Sequence, residues 1–82
     1  MARVEIGKHL AIDTRVCGGR VIFKGTRIMV ADAVELSEAG YAEEAIAQQY
    51  RGAITAEAVK EALKFVRQGI VKEIDVRTRT AA

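Results

Sequence analysis

The chain has 82 residues and a mass of 8.9 kDa, which excludes a second independent core, because domains mostly run to roughly 50–250 residues. Half of the residues are apolar and 29% are charged, which excludes the low-hydrophobicity, high-charge composition of disordered chains. The net charge of +2 singles out no partner, so the informative quantity is where the charges fall.

A chain this small buries only about 60–65% of its unfolded surface, so a homodimer is expected to complete its core. Aromatic residues are few, Phe23, Phe65, Tyr41 and Tyr50, which leaves Val, Ile, Leu and Ala to build that core and makes a large ligand pocket unexpected. No stretch approaches the roughly 18 apolar residues that span a bilayer. The start, Met1-Ala2-Arg3-Val4-Glu5, has no apolar signal-peptide segment. A cytoplasmic protein without membrane contact is expected. Cys17 stands alone, which rules out an internal disulfide and suits a reducing compartment.

In chain order, Val4 and Ile6 alternate with Glu5 and Gly7, and His9-Leu10-Ala11-Ile12 follows; both read as short strands. Asp13-Thr14-Arg15 has turn chemistry, and Gly18-Gly19 supplies positive φ, so the chain must reverse here. Arg20-Val21-Ile22-Phe23-Lys24 is the best strand by β-branched and aromatic content. A hairpin of residues 9–12 with 20–24 is therefore predicted. Two strands alone are barely stable in water, so this hairpin must lie on helices or pair with an edge from a second chain. Gly25 and Thr26 then turn the strand toward a helix.

From residue 30 the apolar period changes from two to 3.6. Val30, Ala33 and Val34 share a face with Leu36 nearby, Asp32 and Glu35 sit where the helix dipole favours acid, and Gly40 marks the end. A second, short helix runs from Ala42 to Tyr50, with Glu43-Glu44 at its positive end. Thr55 caps a third helix whose stripe is Val59, Ala62, Leu63, Val66 and Ile70, ended by Gly69. Its polar face carries Glu57, Lys60, Glu61, Lys64 and Arg67, with Glu61 expected to pair with Lys64. The tail 71–82 reads as an edge strand or a mobile segment.

The outline is a mostly α fold with a small β-hairpin: N-terminal strands and a hairpin arm over 1–28, and a three-helix helix-turn-helix core over 29–70, winged-helix-like or homeodomain-like. Charge is segregated along it. Residues 14–30 carry Arg15, Arg20, Lys24 and Arg27 without an acid, residues 31–61 carry seven acids against two cations, and residues 62–82 five cations against two acids. The third helix opens on Thr55, Ala56, Glu57 and Ala58, which lacks the Arg, Lys, Asn or Gln of base readout and places an acid near phosphate. Contact with DNA would therefore fall to Arg15, Arg20, Lys24 and Arg27, through phosphate and with strong salt dependence.

Other constellations read as structural. Lys24-Gly25-Thr26 reverses the order of a phosphate loop and lacks its earlier glycine; Gly25 and Thr26 serve a turn instead. Arg27 is expected to pair with an acid such as Asp13. Cys17 and His9 lack a third orienting group for nucleophilic catalysis, and one His with one Cys does not complete a zinc site. Glu43 and Glu44 are adjacent and diverge. No cofactor, metal or enzymatic activity is expected.

The residues Ile12-Asp13, Val16-Cys17-Gly18-Gly19-Arg20, Val21-Ile22-Phe23-Lys24-Gly25-Thr26-Arg27-Ile28, Glu35-Leu36-Ser37-Glu38-Ala39-Gly40-Tyr41, Glu43-Glu44-Ala45-Ile46, Tyr50 and Ile54-Thr55 together resemble the bacterial family called domain of unknown function 433. The resemblance covers roughly residues 9–67, and its most specific part is the Gly-Arg, four residues, Gly-Thr-Arg-Ile spacing. It implies a dimerising, winged-helix-like or homeodomain-like protein, an antitoxin (VapB-type) of a type II toxin–antitoxin pair with a PIN-like ribonuclease as toxin. This chain departs from the family by Val21 and Met29 where proline is common, and by Tyr50-Arg51-Gly52-Ala53 in place of a Tyr-Pro turn. The expected function is antitoxin-like binding, with operator DNA as a further partner. The alternatives are a helix-turn-helix regulator without a toxin and a plain dimerisation module.

Overall fold

The computed structural model describes residues 3–69. Strand β1 (Arg3–Ile6) leads to β2 (Leu10–Asp13), a 3-10 turn at Cys17–Gly19, β3 (Val21–Phe23), and helices α1 (Val30–Glu38), α2 (Glu43–Gln49) and α3 (Ala56–Arg67). The hairpin predicted over 9–12 and 20–24 is present as β2 and β3, with Leu10 opposite Phe23 and Ile12 opposite Val21. It is not the whole sheet. β1 adds antiparallel to β2, with Val4 opposite Ile12, giving the order β1-β2-β3. The described residues therefore form an α/β domain of three strands and three helices rather than a helical domain with a bare hairpin. The expectations for Ile70 and the tail 71–82 lie outside the described residues.

Sheet and helices share one core. Leu10, Phe23, Val30, Ile46 and Val59 are its largest fully buried side chains, and Val21, Ile54 and Leu63 belong to the same cluster. Residues 3–28 thus contribute Leu10, Val21 and Phe23 to the core they share with the helices. The continuous run Val21-Ile22-Phe23 is buried throughout: Val21 and Phe23 face the helices, while Ile22 and its register partner Ala11 are buried on the other side. A strand covered on both faces needs no polar alternation.

The helix ends follow their sequence signals. Thr55 Oγ1 accepts the Ala58 N–H at 3.1 Å, satisfying one orphan amide of α3. Met29 and Ala42 precede α1 and α2 without a side-chain cap, and Glu43 and Glu44 occupy the first turn of α2. Gly40 takes φ +102° just beyond α1, the left-handed position that ends a helix.

The turn between β1 and β2 is held by α3. Glu61 accepts the Lys8 N–H at 3.0 Å on Oε2 and the His9 N–H at 2.7 Å on Oε1. The Glu61–Lys64 pair expected from helical spacing gives way to this contact, since two charge-assisted bonds to backbone outweigh an exposed ion pair. The approach is close enough to require glycine. Gly7 has φ +61°, and a Cβ there would sit 2.6 Å from Phe65 Cε2 and 2.9 Å from Glu61 Oε2.

Candidate nucleic-acid interface

Two connections carry the four cations singled out in the sequence. The first, residues 14–20, leaves β2 through an Asx-type turn: the Asp13 carbonyl accepts the Val16 N–H at 2.8 Å, and Asp13 Oδ1 accepts the Arg15 N–H at 2.9 Å. Gly18 and Gly19 follow with φ +65° and +85°, and the Cys17–Gly19 turn packs back against β2. The second, residues 24–28, reverses the chain after β3. Gly25 takes φ +75°; Thr26 Oγ1 donates to the Phe23 carbonyl at 2.8 Å and accepts the Ile28 N–H at 3.0 Å. Met29 then bridges to Ile22, which leads into α1.

The two connections touch. The Cys17 thiol donates to the Arg27 carbonyl at 3.3 Å, and Cys17 itself holds φ +51°. The thiol therefore ties the cation-bearing segments to each other.

The cations differ in what surrounds them. Arg15 folds back on Asp13, with Nε 3.2 Å from Oδ1 and Nη2 3.2 Å from Oδ2, while its side chain stays 76% exposed. The expected Arg27–Asp13 pair is replaced by this one, because the Asx turn already places Arg15 beside the carboxylate. The Arg15 guanidinium and backbone N–H hold the Asp13 carboxyl below its ordinary range, with the positive charge of Arg3 adding to the effect and burial opposing it. Asp13 in turn raises Arg15 above the usual guanidinium range. Lys24 Nζ lies 3.2 Å from Glu5 Oε1 on β1. Arg20 is half-buried and takes part in a polar interaction, and Arg27 is exposed.

The acid-free run of residues 14–30 is thus met in space by Asp13 and Glu5, two carboxylates from just before it. Even so, residues 3–28 hold six cations against those two acids. Local spacing carries a signal for Asp13, since an Asx residue two before Arg15 is turn chemistry. It carries none for the Glu5–Lys24 pair or for the contacts of Glu61, which join different elements.

The first helix is acidic. Asp32 and Glu35 lie on α1 near Tyr50, and burial together with these two carboxylates pushes the Tyr50 phenol above its ordinary pKa. Among the described residues no cluster of three His, Cys, Asp or Glu side chains is placed to hold a metal ion, and no helix is long and apolar enough to cross a membrane.

Among solved structures, the chain is similar to the X-ray crystal structure of Rv2018 from Mycobacterium tuberculosis, with a TM-score of 0.66 at 24% identity over 76% of this chain. That likeness is one of fold, and it takes in 30% of the Rv2018 chain. No curated protein matches. A family model described as "Protein of unknown function (DUF433)" matches residues 10–66.

Proposed function

With more than half of its length matched, the chain belongs to the DUF433 family, and on that footing we propose that it is an antitoxin-like binding protein of a type II toxin–antitoxin pair. In this reading it acts as a homodimer in the cytoplasm, neutralises a PIN-like ribonuclease, and contacts operator DNA through Arg15, Arg20, Lys24 and Arg27. The function is binding rather than catalysis. The observation that carries the DNA contact is the Cys17–Arg27 hydrogen bond, which joins the two connections bearing these cations. The start of α3 offers no competing base-reading surface: Ala58 is buried in the core, Glu57 is acidic, and the Thr55 hydroxyl is taken by the cap. The α2–α3 pair, joined by the turn at 50–55, is read as a helix-turn-helix with the strands as its wing.

Two measurements test this. Replacing Arg20, Lys24 and Arg27 by alanine is expected to lower the slope of log K against log salt by about one for each phosphate no longer neutralised; an unchanged slope removes these residues from the interface. The chain purified from its own cells is expected to carry a ribonuclease that is inactive in the complex and active once released. Recovery of the chain bound to DNA with no ribonuclease favours the regulator reading, which the α2–turn–α3 outline supports.

A further inference from the structure

Among the described residues, the strand order leaves β1 as the open edge of the sheet. The opposite edge is partly closed, since Met29 bridges to Ile22 and Ile28 accepts the Phe23 N–H at 3.0 Å. β1 carries Arg3, Val4, Glu5 and Ile6. Alternation puts Val4 and Ile6 on the helix-facing side of the sheet, where Ile6 and the register partner of Val4, Ile12, both pack on the core. Val4 nevertheless remains 60% exposed, more than Tyr41, the other large exposed apolar residue among those described. Among the described residues, this edge strand with an uncovered valine on its core side has no neighbour.

We infer that this neighbour is β1 of a second copy, paired antiparallel about a two-fold axis at Val4. The charges of the strand are self-complementary in that register. Arg3 falls opposite the partner's Glu5, Glu5 opposite the partner's Arg3, and Val4 against the partner's Val4. Opposite charges directly across two strands are stabilising and like charges are not. The pairing extends three strands to six, closes the exposed edge and covers Val4. The pairing rests on the homodimer proposed for the function and assigns it a surface.

The test is sedimentation of the full chain across roughly 1–500 µM protein. The wild type is expected to dimerise. Arg3→Glu and Glu5→Arg each place like charges opposite one another twice, and each is expected to weaken the dimer on the order of tenfold. An equimolar mixture of the two variants restores opposite charges at both positions and is expected to dimerise as the wild type does. Rescue by mixing separates this contact from the pairs that Glu5 makes within its own chain with Arg3 and Lys24. Val4→Lys leaves both charges in place and sets two ammonium groups at the axis, and it too is expected to separate the copies, with circular dichroism confirming the fold of each variant. A wild type that sediments as a folded monomer overturns both the dimer and its surface. A dimer that these folded variants leave unchanged overturns the surface alone, and ribonuclease capture is read independently of either.

Discussion

Asp13 shows how one buried carboxylate organises a turn. It is 6% exposed, yet its charge is held by the Arg15 N–H and guanidinium. A carboxyl whose folded pKa is depressed stabilises the fold above its unfolded pKa, 3.8 for an aspartate, and loses that contribution as pH falls through the folded value. Urea unfolding of the wild type is therefore expected to need less denaturant as pH falls below about 3.8. Asp13→Asn is expected to show less of this loss, so the gap between the two proteins narrows with acidification. A gap that is constant from neutral to acid pH would show that the Asp13 charge does not contribute. Asp13 and Arg15 are two residues apart, so this pair lies within the reach of local sequence reading. The pairing of Lys24 with Glu5 does not, because it depends on β1 lying beside the rest of the sheet.

At the scale of elements, α3 holds the β1–β2 turn of the sheet. Glu61 binds two consecutive amides of the β1–β2 turn, 53 and 52 residues away in sequence, and Gly7 admits Phe65 beside it. Removing the carboxylate leaves the half-buried His9 N–H without its acceptor, while water replaces the bond to the exposed Lys8 N–H. Glu61→Ala is expected to cost about 1–2 kcal/mol and to speed hydrogen exchange at Lys8 and His9 while α1 and α2 stay protected. Glu57→Ala, on the solvent side of the same helix, is expected to change neither. Equal effects from the two substitutions would remove the clamp. The helices themselves were legible in sequence because their signals are local: the Thr55 cap, the Gly40 terminator and the 3.6-residue stripe of α3 all act within a turn or two. The third strand was half legible. Residues 4–7 read as extended, but which edge they pair with is a long-range choice.

For the whole molecule, one apolar cluster joins sheet and helices, and Phe23 lies near its centre with 1% exposure. A folded chain of this size has a stability of roughly 4–12 kcal/mol, at about 0.05–0.15 kcal/mol per residue. Phe23→Ala is expected to cost about 3–5 kcal/mol, a large share of that total. Thermal unfolding followed by circular dichroism should show a Tm lowered by at least ~12 °C; a shift of a few degrees would mean that sheet and helices do not unfold as one unit. The charge pattern also belongs to this scale. Cations gather on the strands and their connections, and acids on α1 and the start of α2.

The sequence by itself determined the helices, the β2–β3 hairpin, the turns at Gly18, Gly19 and Gly25, and the stretch where cations concentrate, because each depends on dihedral preference or on periodicity within a few residues. Only the tertiary structure decided that β1 completes the sheet, that Glu61 serves the backbone rather than Lys64, and that Asp13 and Glu5 partner two of the four cations. Those contacts join groups whose local propensities are satisfied either way. They are settled by which surfaces the shared core brings within hydrogen-bonding distance.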